Sequence, residues 1–292
     1  MTAPIRPARR GTLLLFLLAH TTLISVVNLL LFANGAFRPL TTLTGGLITG
    51  TLIAGVALLA ILVWGVCLRF GRLRPYDIGW LPRQMGAAVI FTAALWSAAQ
   101  LVHLGAGLIM HGGIVPAPSF STHGVGGVLG MLAAQLFGNA LFEELAYRGF
   151  LFPQLYLRIH GSGERPWLRF IITLLISQSL FALVHMPNRL YLGLSPTEIA
   201  ADLALLTGWG VLFTLLYLHT DNLFLVVGIH ALGNAPTTLF ATAPGLDGAG
   251  GALLIYGLAV LGVFCWPMLT RALRRRPALA EPIGQEAWAA EN

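Results

Sequence analysis

A helix needs about 20 apolar residues to cross the hydrocarbon core of a bilayer, and this chain offers eight stretches of that kind, at 12–33, 43–68, 85–110, 125–152, 170–186, 199–218, 222–242 and 252–270. They are continuously apolar rather than alternating, which fits helices and not barrel strands. Only 10% of the residues are charged, against about 25% in soluble domains, so the chain has too few charges to clothe a water-facing surface. The expected fold is all-α, a polytopic membrane bundle of eight transmembrane helices. Only His219 to Asn222 divides the sixth stretch from the seventh, which makes those two antiparallel neighbours.

Arginine placement supplies an orientation. All 17 basic residues are arginine. Arg6, Arg9 and Arg10 precede the first stretch; Arg69, Arg72, Arg74 and Arg83 follow the second; Arg148, Arg158, Arg165 and Arg169 surround the fourth-to-fifth connection; Arg271, Arg274, Arg275 and Arg276 follow the eighth. Only Arg38 and Arg189 fall on the other side, a split of 15 to 2. That alternation needs eight crossings and places both termini in the cytoplasm. Arginines grouped between apolar runs meet lipid head groups, so nucleic acid is not an expected partner despite the net charge of +6. The first stretch is too long for a signal-peptide core and has no convincing cleavage site, so it reads as a retained span. Cys67 and Cys265 lie in separate apolar runs and read as small buried hydrophobes rather than a disulfide. Gly46/Gly50 and Gly126/Gly130 have the four-residue spacing that lets helices approach closely, read here as packing within the chain. The polar, proline-containing tail after Arg276 is expected to be disordered.

Polar groups inside the apolar runs carry the functional signal. An ionisable side chain at a membrane-helix centre costs roughly 2.5–3.5 kcal/mol on insertion scales, and three runs hold such groups: Glu143-Glu144-Leu-Ala-Tyr-Arg148, Phe181-Ala-Leu-Val-His185 and His230-Ala-Leu-Gly-Asn234. At 100° per residue Glu144 and Arg148 lie about 40° apart on one face, and Glu143 points about 100° away from Glu144. Glu144 is thus neutralised by Arg148, whereas Glu143 is the uncompensated carboxylate, on a stripe with Gln135 and Asn139. Gln178, Phe181 and His185 share a face, as do His230 and Asn234.

Depth tests whether these groups meet. If the fourth helix runs on to Arg158, Glu143 lies roughly 22 Å from its cytoplasmic end; His185 lies about 24 Å from Arg169, and His230 and Asn234 about 13 and 20 Å from Asp221. The four then share a level. A carboxylate with an imidazole can hold and deprotonate water, and a second imidazole with an amide can donate to a tetrahedral oxyanion. Those are parts for peptide-bond hydrolysis, with no serine or cysteine nucleophile beside them. Glu143, His185 and His230 are also ligand types that zinc accepts with an open fourth position. The residues alone leave a glutamate-water site and a zinc-water site both open.

The ordered set Glu-Glu-x-x-x-Arg, Phe-x-x-x-His and His-x-x-x-Asn on separate helices resembles the CPBP (Abi) family, which contains the type II CAAX prenyl endopeptidases and bacterial bacteriocin-processing and immunity proteins. The resemblance covers about residues 125–240. It implies an intramembrane endopeptidase in which Glu143 activates water, Glu144 and Arg148 support it, Phe181 and His185 form the second motif with His185 holding the water, and His230 and Asn234 form the oxyanion hole. The family's metalloprotease label implies zinc at Glu143, His185 and His230, with metal-free glutamate catalysis as the alternative. The corresponding division is three amino-terminal helices over 1–124, a catalytic core over 125–242, and a last helix with a cytoplasmic tail over 243–292. The expected substrate is a peptide or protein in or at the lipid bilayer. Abundant alanine, leucine and arginine without lysine point to a GC-rich bacterium and its inner membrane. The competing readings are a non-catalytic scaffold or bacteriocin immunity protein that binds a peptide partner, and a transporter. A transporter predicts paired inverted repeats, and the sequence has no such symmetry.

Overall fold

The computed structural model describes residues 5–9, 11–159 and 165–274, with side chains to residue 264. The expected disordered tail and Arg10, Arg275 and Arg276 lie outside the described residues, as does the side chain of Cys265. The fold is all-α. Among the described residues, six helices are long and apolar enough to cross a membrane: α1 (Thr12–Phe32), α2 (Gly50–Phe70), α3 (Pro82–His111), α4 (Pro118–Arg158), α5 (Pro166–Tyr191) and α6 (Pro196–Thr220). Two more complete the bundle, α7 (Leu223–Asn234) and α8 (Gly248–Arg274). Many apolar side chains face outward, among them Leu18, Val89, Ile109 and Phe264, the pattern of a bundle solvated by lipid.

The helix starts follow local chemistry. At α6, Ser195 Oγ accepts from the Glu198 backbone N–H while Glu198 accepts from the Ser195 N–H, with Pro196 in the first turn. At α7, Asn222 Oδ1 accepts from the Leu225 N–H at 3.2 Å. Asp221 turns the chain at φ 51 between them.

The seventh element departs from the expected span over 222–242. It is helical for only 12 residues, about 18 Å, and then non-helical. Pro236 is the reason: it lacks a donor and pushes Ala235 out of helical conformation, to φ −140 and ψ 78. The following segment pairs antiparallel with 115–117, through Ala117 N–H to Leu239 O at 3.0 Å and Ala241 N–H to Val115 O at 2.8 Å.

Helix α4 runs on to Arg158, as the depth condition requires. Its hydrogen bonding widens to the i→i+5 pattern over Gln135–Asn139 and Glu144–Leu151, on either side of Glu143; such widening is frequent at functional positions. Close packing of α2 and its leading loop on α4 holds this helix. A Cβ on Gly55 would stand 2.5 Å from the Gly138 carbonyl carbon, and one on Gly126 or Gly130 would strike the backbone of Gly45 or Gly46. The glycine spacings therefore serve contacts within the chain, as expected. Arg148 corrects the arginine tally. It is fully buried, sits in the bundle interior and sets no topology.

The connection after α2 is tied down by Asp77. Burial disfavours its charge, but the Arg74 side chain and the backbone N–H groups of Arg74 and Arg6 hold its carboxyl below the usual carboxylate range.

Candidate active site

Three helices bring the sequence-marked groups together. Glu143 on α4 stands with Oε1 3.6 Å from His185 Nε2 on α5 and Oε2 3.6 Å from His230 Nε2 on α7. These separations exceed hydrogen-bond range, yet one water at about 2.8 Å from each atom spans either of them. Glu143 is 7% exposed and borders a cavity of about 390 Å³ that His185, His230 and Asn234 also line.

Both imidazoles are oriented from behind. At His185 α5 breaks; the backbone N–H bonds back to Ala182 O at 3.0 Å and leaves the Phe181 carbonyl free. Ring Nδ1 takes that carbonyl at 2.8 Å. Because a carbonyl only accepts, Nδ1 carries the proton, and in the neutral ring the Nε2 lone pair faces Glu143. His230 repeats the device with a carboxylate: Nδ1 lies 2.7 Å from Glu144 Oε1, so its Nε2 also faces Glu143. Glu144 therefore does more than neutralise Arg148, the reading its spacing suggested; it also fixes a ring of the site.

Behind that ring lies a buried charge pair. Arg148 Nη1 is 3.2 Å from Glu144 Oε1, both side chains are 0% exposed, and Arg148 Nη2 donates to the Gly210 carbonyl at 3.3 Å. The guanidinium rests on Phe181 at 4.4 Å and Phe213 at 5.4 Å, a favourable face for a desolvated cation. Phe213 stacks in turn on His230 at 4.7 Å. Asn234 is one turn beyond His230 and donates from Nδ2 to Gln135 Oε1 at 3.1 Å, while Asn139 donates to the same oxygen at 3.4 Å. One N–H of the Asn234 amide remains for other partners.

Glu143, His185 and His230 are donor types suited to zinc. Among the described residues, however, no set of three histidine, cysteine, aspartate or glutamate side chains is arranged to hold a metal ion.

The model of the type II CAAX prenyl endopeptidase Rce1-like family matches residues 125–236. That segment is a domain of this family. The family is one of intramembrane proteases, and with the six long apolar helices it makes the chain a multi-pass membrane protein. No curated protein and no solved structure matches the chain. The prenyl-endopeptidase-like domain spans α4 from Val125 through α7 to Pro236 and contains every residue singled out from the sequence: Glu143, Glu144, Arg148, Phe181, His185, His230 and Asn234.

Helix α1, outside that domain, closes the cavity with groups the sequence reading passed over. His20 Nδ1 is 2.9 Å from the Tyr147 hydroxyl, and both side chains are buried. The Tyr147 ring packs edge-on against Phe181 at 5.0 Å, and Phe181 against His185 at 4.9 Å. Asn28 Oδ1 accepts from Asn188 Nδ2 at 2.8 Å at the cavity wall. The cost of a polar group within an apolar run, which singled out Glu143, applies equally to His20 and Asn28 and was the available signal.

Proposed function

We propose that the protein is an intramembrane endopeptidase that hydrolyses a peptide bond of a membrane-associated protein or peptide with water activated by Glu143. The observation that carries this reading is the approach of one unpaired carboxylate to two imidazole Nε2 atoms, each 3.6 Å away, at the wall of a cavity inside the bundle.

The chemistry follows from the donors and acceptors. A water gives one O–H to Glu143 and the other to the His185 Nε2 lone pair, and its own lone pair turns toward the substrate carbonyl. Glu143 takes the proton as the O–C bond forms. The oxyanion receives the remaining Asn234 N–H and, from a protonated ring, His230 Nε2–H, with Glu144 balancing the imidazolium at its far nitrogen. Glu143 then passes the proton to the departing amine as the C–N bond breaks. Glu144, Arg148 and Phe181 act by holding these groups in place.

The same reading extends to the setting. Eight crossings with both termini cytoplasmic, in a bacterial inner membrane, follow if α7 and the non-helical segment after it complete one crossing together. Non-helical backbone at membrane depth is tolerated where it lines a cavity. Residues 125–242 form the catalytic core, 1–124 its support, and 243–292 the last helix and tail. The test is proteomics of membrane-protein fragments in cells carrying wild type or Glu143→Ala. Fragments present only with wild type are expected; identical fragment patterns would refute the reading.

A further inference from the structure

A second cavity, of about 540 Å³, meets the catalytic one at Asn234, which lines both. One wall is the non-helical segment after α7; facing it are the start of α8 and the first third of α4.

This wall is built in a way that packing alone does not require. In the antiparallel pairing with 115–117, Leu239 O and Ala241 N–H point to the partner strand. The backbone groups of Phe240, between them, point away from it. Among the described residues neither Phe240 nor Thr238 has a backbone hydrogen bond. Two hydroxyls that line the same cavity, Ser119 Oγ and Thr242 Oγ1, are shut off from solvent and have no partner. Unpaired backbone and hydroxyl groups in an apolar bundle are costly. The conformation is nonetheless held firmly. Thr237 sits at φ 46, an unfavourable region for a β-branched residue. It is pinned by Trp96 Nε1 to its hydroxyl at 3.1 Å and by Gln100 Nε2 to its carbonyl at 3.4 Å, and Gln100 Oε1 takes the Leu239 N–H at 2.8 Å. Helix α3 thus covers part of the segment and leaves the Thr238–Phe240 edge unpaired.

Resting on the protease reading above, we propose that this edge is the substrate subsite: an extended peptide adds as a further strand along Thr238–Phe240, and the chain running past Asn234 enters the catalytic cavity. Strand addition recognises backbone and tolerates varied side chains, and it delivers the peptide extended, with its carbonyl accessible to water, where a helical substrate has that carbonyl bonded to its own backbone. Past the left-handed turn at Thr237, the four residues from Thr238 to Ala241 span at most about 13 Å, enough to hold a few substrate residues on one side of the cut. Ser119 and Thr242 then bond the outer backbone groups of the peptide.

The test uses the full-length protein in liposomes and a quenched-fluorescent pool of Ala/Leu membrane-spanning peptides with four randomised central positions. Phe240→Pro deletes the outward N–H and spares both bonds to the 115–117 strand. It is expected to raise KM about tenfold or more with kcat within about twofold, and Thr242→Val to raise KM more weakly. A thermal-unfolding check accompanies each variant. Independently of cleavage, a photo-crosslinking phenylalanine analogue at position 240 in the Glu143→Ala protein is expected to capture the pool peptides, and the same probe at lipid-facing Leu253 is not. Unchanged KM in both variants, or equal capture at 240 and 253, would overturn the subsite. Capture at 240 without any cleavage by wild type would instead sink the protease reading and leave the subsite standing.

Discussion

Adjacent carboxylates with opposite duties predict opposite consequences for the same chemical change. Glu144 Oε1 accepts from His230 Nδ1 at 2.7 Å and stands 3.2 Å from Arg148 Nη1 as its counter-charge, with acid and arginine both 0% exposed. Glu144→Gln keeps the shape but leaves a buried guanidinium without its counter-charge, a loss of about 3–5 kcal/mol, or about two to three and a half powers of ten in the folding equilibrium. Glu143 faces its partners at 3.6 Å, beyond hydrogen-bond range, and borders the cavity. Glu143→Gln therefore removes no formed hydrogen bond and should change stability by less than about 1 kcal/mol, while removing the proposed base. The assay is SDS-titration unfolding of purified protein in mixed micelles, read by tryptophan fluorescence. Glu144→Gln should unfold at markedly lower SDS fraction and Glu143→Gln within error of wild type. Equal stability of Glu144→Gln and wild type, or the reverse order of the two variants, would refute this division of roles.

Other outcomes follow from the same geometry. His185→Ala removes an oriented water-holding ring and should lower turnover of the model peptide pool by about 10²–10⁴-fold, measured as initial rate at saturating peptide. Gly55→Ala places a methyl against the Gly138 backbone and should cost about 1–3 kcal/mol, whereas Gly105→Ala, with nothing within 4 Å of its Cβ, should be neutral or stabilising in the same unfolding assay. Asp77 has a lowered folded-state pKa, so its contribution is present above the unfolded value near about 3.9 and is lost as pH falls through the lower folded value. Unfolding scans from pH 6 down to about pH 2 should show that loss in wild type and a smaller one in Asp77→Asn.

Much of the site was legible because cost is legible. Glu143, Glu144, His185 and His230 stand out as ionisable groups in apolar runs, and helical geometry alone separates the two glutamates by their partner in register. That geometry could not say that His230 reaches Glu144, because the contact joins residues 86 positions apart. His20 carried the same signal as His185 but no neighbouring motif to give it weight. The non-helical segment after Asn234 was hidden by hydropathy: Leu239-Phe240-Ala241 continued the apolar run past Pro236, although the proline already marked where the helix had to stop. Phe213, against which both His230 and Arg148 pack, reads from sequence as one more aromatic in an apolar helix.

The central claim is that Glu143, His185 and His230 act as one unit, on a single water and on the carbonyl that it attacks. Groups acting as a unit are non-additive, so the decisive measurement is the rate of peptide-pool hydrolysis by Glu143→Gln, His185→Ala, His230→Ala and the triple variant, all in liposomes. A triple variant no slower than the slowest single one is the predicted result. Losses that multiply across the three positions would mean that these side chains act at separate places, and would contradict the account.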